Sequence, residues 1–156
     1  DDPLQMECFY YRAVNRGHLL ESRTGQHRTD LALMIADFEE VRKRDPILDE
    51  GGALRALSYI YLKLPELPLL GGTLSRDLDK AVCYALQALS DFPNNPENLK
   101  LKGEIDFARR DYKSAARFFR LARKNLDKVR LQESDRHVLA KELKVWLKKV
   151  KKRLKT

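Results

Sequence analysis

Apolar residues recur every three to four positions in seven separate runs of this chain, with polar, Gly- or Pro-containing breaks between them. The clearest pair lies at the centre. Leu54, Leu57, Ser58 and Tyr61 fall at i, i+3, i+4 and i+7, which is one face of a helix. Leu78, Ala81, Ala85, Ala88 and Leu89 repeat the pattern, and Pro93 ends the second helix because its ring blocks continuation. The alanines would let the two helices approach closely, as a helical hairpin requires. The turn between them, through Pro65, Pro68 and Gly71-Gly72, is long and apolar.

The same reading extends outward. A first helix over 4–22 turns Met6, Phe9, Tyr10, Ala13 and Leu20 toward a partner, and a second over 31–44 offers Leu31, Met34, Ile35, Phe38 and Val41 until Asp45-Pro46 stops it. A third pair covers 96–109 and 112–125, the latter with Ala115, Ala116, Phe119 and Ala122 inward. The last helix starts near Ser134-Asp135, taken as its cap, and carries the stripe Leu139, Leu143, Trp146, Leu147, Val150, Leu154. The expectation is a single all-α domain over 1–156, with hairpins at 4–46, 49–93 and 96–127 and a capping helix at 134–155.

Composition narrows the class. The chain has 156 residues, 43% hydrophobic and 35% charged, which suits a helical protein with solvated outer faces and is too apolar for disorder. No apolar run approaches the ~20 residues of a membrane span. The sequence begins at Asp1 without an initiator Met or a signal peptide, so the compartment stays open between the cytoplasm and a bacterial envelope. Cys8 and Cys83 lack metal or disulfide-framework spacing and are expected as free buried thiols. The net charge of +8 is uneven: residues 127–156 hold eleven Lys/Arg against four Asp/Glu, whereas the first 126 hold 20 against 19.

The spacing of the hairpins carries a resemblance. Leu54-x2-Leu57-Ser58-x2-Tyr61, then Ala81-x3-Ala85, then Pro93 resembles the tetratricopeptide repeat, with Leu for its Trp and Ser for its Gly. Met34-x3-Phe38 with Pro46, and Gly103, Tyr112, Ala115-x3-Phe119 and Ala122, keep the same register. Phe119 lies 34 residues beyond Ala85, the period of that repeat. Two departures stand out. Lys102 and Asp106 occupy apolar signature positions, so the first helix of the third hairpin is expected rotated or shifted. Tyr61 to Ala81 spans 20 residues, about eleven more than an ordinary repeat. That insertion, between "YLKLP" and a helix ending in "FPNNPEN", resembles the tetratricopeptide proteins associated with bacterial TRAP transporters. The latter resemblance implies an envelope accessory role, with a small organic anion or a solute-binding protein as partner and possible self-assembly.

Candidate chemistry is sparse. His18, His27 and His137 are isolated and read as surface residues, and Gly71-Gly72-Thr73 lacks the Gly-Lys-Ser/Thr of a P-loop. Glu39-Glu40 read as ion-pair partners of Arg42 and Lys43. No catalytic residue, metal ligand or cofactor is assigned, and a non-catalytic scaffold binding a protein or peptide is expected. The repeat resemblance implies a concave groove with Arg55, Tyr59, Leu62 and Lys63 from the central hairpin and Lys100, Glu104 and Phe107 from the third. Arg55, Lys63 and Lys100 would steer acidic groups. Leu67, Leu69 and Leu70 form a loop contact for a ligand or subunit, or fold back over their own hairpin. For the lysine-rich last helix three readings stand together. It caps the stack, it attracts nucleic acid without aromatics for base contact, or it lies on an anionic membrane. The first is preferred.

Overall fold

The structure is a computed structural model that describes residues 3–22, 27–64, 67–69, 72–129 and 132–155. Among those residues the regular structure is helical apart from one short β-hairpin. The helices are α1 (Pro3–Ser22), α2 (His27–Arg44), α3 (Gly52–Lys63), α4 (Leu78–Asp91), α5 (Pro96–Ala108), α6 (Tyr112–Asn125) and α7 (Glu133–Arg153). α1 packs most heavily on α2, α3 on α4 and α5 on α6, as short connections dictate. α2 meets α3, α4 meets α5 and α6 meets α7 as successive pairs join. α3 also touches α5, and α5 touches α7, so these three helices run in series.

Side-chain caps set the starts of three helices. Asp77 begins α4, its carboxylate accepting the backbone N–H groups of Asp79 and Lys80. Asn95 does the same for α5 toward Glu97 and Asn98, and Asp111 caps α6 through the N–H of Ser114. The expected cap at Ser134-Asp135 is displaced. α7 opens at Glu133 after Gln132, which makes no side-chain cap, and Glu133 and Asp135 instead face the positive end of the helix dipole from the first turn.

The insertion after α3 is a correction to the expected apolar loop. β1 (Leu67–Leu69) and β2 (Gly72–Leu74) pair antiparallel, with Leu67 opposite Leu74 and Leu69 opposite Gly72. Pro68 is tolerated because a two-stranded ribbon is all edge and needs few donors. The backbone N–H of Asp77 then bonds the carbonyl of Tyr61 at 3.0 Å and brings the chain back beside α3.

Two apolar cores result. The first joins Tyr10 and Ala13 of α1, Met34, Phe38 and Val41 of α2, Leu57 and Tyr61 of α3 and Ala81 and Ala85 of α4. The second joins Ala115, Ala116, Phe119 and Ala122 of α6 with Leu139, Leu143 and Val150 of α7. Helix α5 sits between them: Leu101 and Ile105 belong to the first core and Leu99 to the second. That double duty explains its irregular register. A helix buried on several sides has no polar face to give it a clean period. Lys102 and Asp106 form an ion pair with each other, and Asp106 also accepts the hydroxyl of Ser114 at 2.6 Å. Lys102 Nζ lies 4.8 Å from the Phe118 ring centroid. The buried charges are thus matched within the α5–α6 hairpin.

Polar contacts hold the first two hairpins. Asp37, 6% exposed, takes a two-pronged contact from Arg12 and a second arginine, Arg16, at 2.5 Å. Glu39 pairs with Arg42, and Glu40 with Arg44 rather than Lys43; Tyr84 of α4 also donates to Glu39 at 2.5 Å. Ser58, fully buried, donates to the carbonyl of Ala81 at 2.7 Å and ties α3 to α4. Both cysteines are exposed, which corrects the expectation of buried thiols. Cys8 and Cys83 lie off the helix faces marked by Met6, Tyr10 and Ala13 and by Ala81, Ala85 and Ala88.

The third hairpin depends on a close approach. A Cβ at Gly103 would lie 2.6 Å from the Phe119 ring, and Phe119 is fully buried. Gly→Ala in a helix interior ordinarily stabilises by about 0.5–1 kcal/mol. Here Gly103→Ala is expected to destabilise by about 1–3 kcal/mol, because the ring has nowhere to move. Urea unfolding measures the sign; a rise in the midpoint would show that the α5–α6 contact is slack.

Candidate functional site

The residues implied for a groove divide between a structural knot, a pocket and a cleft. Arg55 belongs to the knot. Asp49, Glu50 and Gly51 all have positive φ (50°, 49° and 81°), a conformation that costs each of the two acidic residues about 1–2 kcal/mol. The guanidinium of Arg55 donates to both carbonyls of this turn, Asp49 and Glu50, at 3.2 Å each. It also reaches the Asp49 carboxylate at 2.9 Å, Asn98 Oδ1 at 3.1 Å and Glu97 at 3.3 Å. Tyr10 of α1 donates to Asp49 at 2.5 Å, and Asn95 donates to Glu50 at 2.6 Å. With its donors committed inside the protein and its side chain 16% exposed, Arg55 has little to offer a ligand.

Leu62, Lys63, Glu104 and Phe107, four of the implied groove residues, share the wall of one pocket of about 310 Å³ between α3, α5 and α7. Arg76, Ala108, Arg110, Tyr112 and Trp146 complete it. Phe107 stands edge-on to Tyr112 and to Trp146, at centroid distances of 5.2 and 5.3 Å, so the three rings form a connected aromatic surface. Glu104, 6% exposed, lies 3.4 Å from Lys63 and 3.7 Å from Lys100, and Lys100 is drawn to Glu142 of α7 at 2.5 Å. Glu104 therefore acts within the wall, and Lys100 ties α5 to α7. Lys63, 46% exposed, lies 5.4 Å from the Tyr59 ring centroid and 5.9 Å from that of Trp146. Arg76 and Arg110 are exposed.

Sequence reasoning missed Arg76, Arg110, Tyr112 and Trp146. Trp146 was placed on the stripe of a cap, and only the packing of α7 on α5 shows that the same face closes a pocket. Arg110 sits in the tight turn after α5 with φ 65°, a conformation reached only when the fold imposes it.

Tyr59 faces elsewhere. With Lys63 it borders an open apolar cleft of about 430 Å³ between α1, α2 and α3, walled mainly by Val14, Leu20, Met34, Phe38 and Ile60. No sequence signal marked this cleft, because its wall residues belong to three separate helical patterns. Leu67 and Leu69 lie in β1, and Leu70 lies outside the described residues. His18 and His137 are exposed. No described group of three or more His, Cys, Asp or Glu could hold a metal ion, and no described helix is long and apolar enough to cross a membrane.

No protein-family model, curated protein or solved structure matches the chain, so its functional reading rests on this geometry.

Two outcomes follow from the knot. Arg55→Ala is expected to lower stability by about 2–3 kcal/mol, since it strips charge-assisted hydrogen bonds from a strained turn. A thermal midpoint equal to wild type would return Arg55 to the surface as a ligand contact. Burial first, then the hydrogen bond to Asp49, raises the Tyr10 phenol well above its ordinary value, and burial followed by Glu39 does the same for Tyr84. Below about pH 10 both phenols are neutral folded or unfolded, so their contribution is intact. Above it the unfolded chain ionises first, and stability falls as pH climbs toward the raised values. Urea midpoints at successive pH values should therefore drop above about pH 10, and less steeply in a Tyr10→Phe, Tyr84→Phe variant.

Proposed function

We propose that the three helical hairpins and α7 act as a tetratricopeptide-like, non-catalytic binding module that takes an extended acidic segment of a partner protein across α3, α5 and α7. The observation that carries this reading is the pocket in which Phe107, Tyr112 and Trp146 stand together beside Lys63, Arg76 and Arg110. Its volume, about 310 Å³, is at the low end for a small-molecule site and suits one large side chain of a longer segment. Aromatic rings give rigid apolar contact at little entropic cost, and arginines at the rim fork onto carboxylates. An extended segment would insert an apolar side chain among the rings and lay flanking Asp or Glu on the cations. Among its described lining residues the apolar cleft offers an anion Lys63 alone, so it supports this reading less well.

The test uses fluorescein-labelled peptides of about twelve residues, each with one central Phe flanked by Glu or, in the control, by Lys. The acidic peptide is expected to bind with a Kd in the micromolar range and the basic one not to bind. Arg76→Glu with Arg110→Glu should weaken the acidic peptide by about tenfold or more, chiefly through charge. Trp146→Phe keeps the wall filled and should cost less. Equal binding of acidic and basic peptides, or no loss in the double variant, would overturn the assignment.

A further inference from the structure

We infer that the groove between α6 and α7 is a second docking site, built for an acidic amphipathic helix of a partner protein. Helix α6 carries Lys113, Arg117, Arg120, Arg123 and Lys124 and no acidic residue, and α7 carries eight cations against three acids. Where the two helices meet they frame a concavity of about 440 Å³. Its rim is cationic, with Arg120 and Arg123 on one side and Lys151 and Lys155 on the other. Its floor is apolar: Ala116, Leu147, Val150 and Leu154.

Three features separate this groove from an ordinary solvated face. Among the described residues none of the four rim cations has an ion-pair partner, whereas Arg55, Lys100 and Lys102 are each matched to an acid. The floor is apolar yet unfinished, for Leu154 remains 46% exposed. The basic residues also converge from two helices on one trough, which a cap needing only solubility does not require.

The combination of floor and rim selects the occupant. A helix with leucines along one face and Glu or Asp on its flanks would fill the trough and pair with both rims, the usual helix-in-groove arrangement. A nucleic-acid strand would engage the cations and leave the floor empty. It would also find no stacking platform, because none of the described residues that line the trough is aromatic. A lipid surface needs an apolar ridge that projects, and here the apolar residues line a depression. A second copy of the chain is poorly matched as well. Only α4 and α5 among its described helices have an excess of acid, one charge each.

The probe is a fluorescein-labelled helical peptide of about 18 residues, five turns, with Leu along one face and Glu beside them. Its control has the same composition with the leucines scattered around the helix. A ~20-nucleotide single strand and vesicles of neutral and anionic phospholipid are run in parallel at about 0.15 M salt. The amphipathic peptide is expected to bind at least roughly tenfold more tightly than its control, and Arg120→Glu with Lys151→Glu should reverse that binding by a similar factor. Leu154→Asp, an exposed position that leaves the fold intact, should cost roughly fivefold. Arg76→Glu with Arg110→Glu should leave it unchanged, which separates this groove from the aromatic pocket. Equal binding of peptide and control would overturn the inference. So would tighter binding of the oligonucleotide or anionic vesicles that ignores Leu154→Asp, or self-association of the chain abolished by the same rim variants.

Discussion

The left-handed turn at Asp49–Gly51 is the constraint on which the arrangement of hairpins depends. Three consecutive residues with positive φ redirect the chain from the end of α2 into α3, and two of them are not glycine. Such a turn persists only if its surroundings over-determine it. Here the surroundings come from four directions: Tyr10 of α1, Arg55 of α3, the α4 carbonyl of Ala88 through Asn98, and Asn95 and Asn98 of α5. One guanidinium thereby sets the relation of the first hairpin to the second and of the second to the third. The same commitment removes Arg55 from the surface as a recognition group.

Helix α5 carries the next constraint. It contributes to two cores, which leaves room for neither a solvated face nor large side chains on every side. Gly103 admits the Phe119 ring, while Lys102–Asp106 and Glu104 with Lys63 and Lys100 neutralise the charges that burial would otherwise penalise. These pairings also act at a distance. Glu104 orders Lys63 at the edge of the aromatic pocket, and Lys100 reaches Glu142 to hold α7 against α5.

Helix α7 accordingly does more than close the stack. Trp146 stacks on Phe119 at 5.4 Å and meets Phe107 edge-on, so one ring belongs both to the second core and to the pocket. Farther along, Leu147, Val150 and Leu154 meet α6 and shape a trough edged with unpaired cations. A single amphipathic helix thus finishes one surface and begins another, and the two differ in chemistry: aromatic and compact in one case, aliphatic and strongly basic in the other.

Much of the fold was legible because it is written in local periodicity. The seven described helices and the small-residue face at Ala81, Ala85 and Ala88 depend on neighbours within a few positions. Four residues that the repeat resemblance implied for a groove, Leu62, Lys63, Glu104 and Phe107, share the wall of one pocket once α3 packs on α5. What the sequence could not express is which charges meet across helices. Arg55 and Asn98 are 43 residues apart, and Lys100 and Glu142 are 42 apart. The basicity of α6 was likewise hidden, since averaging it over the first 126 residues cancelled it against acids in other helices. Periodicity thus determined the described helices and their order from the sequence alone. Only the tertiary structure decided which polar groups are sealed inside and which remain to bind, because pairing across space depends on distances that spacing along the chain does not encode.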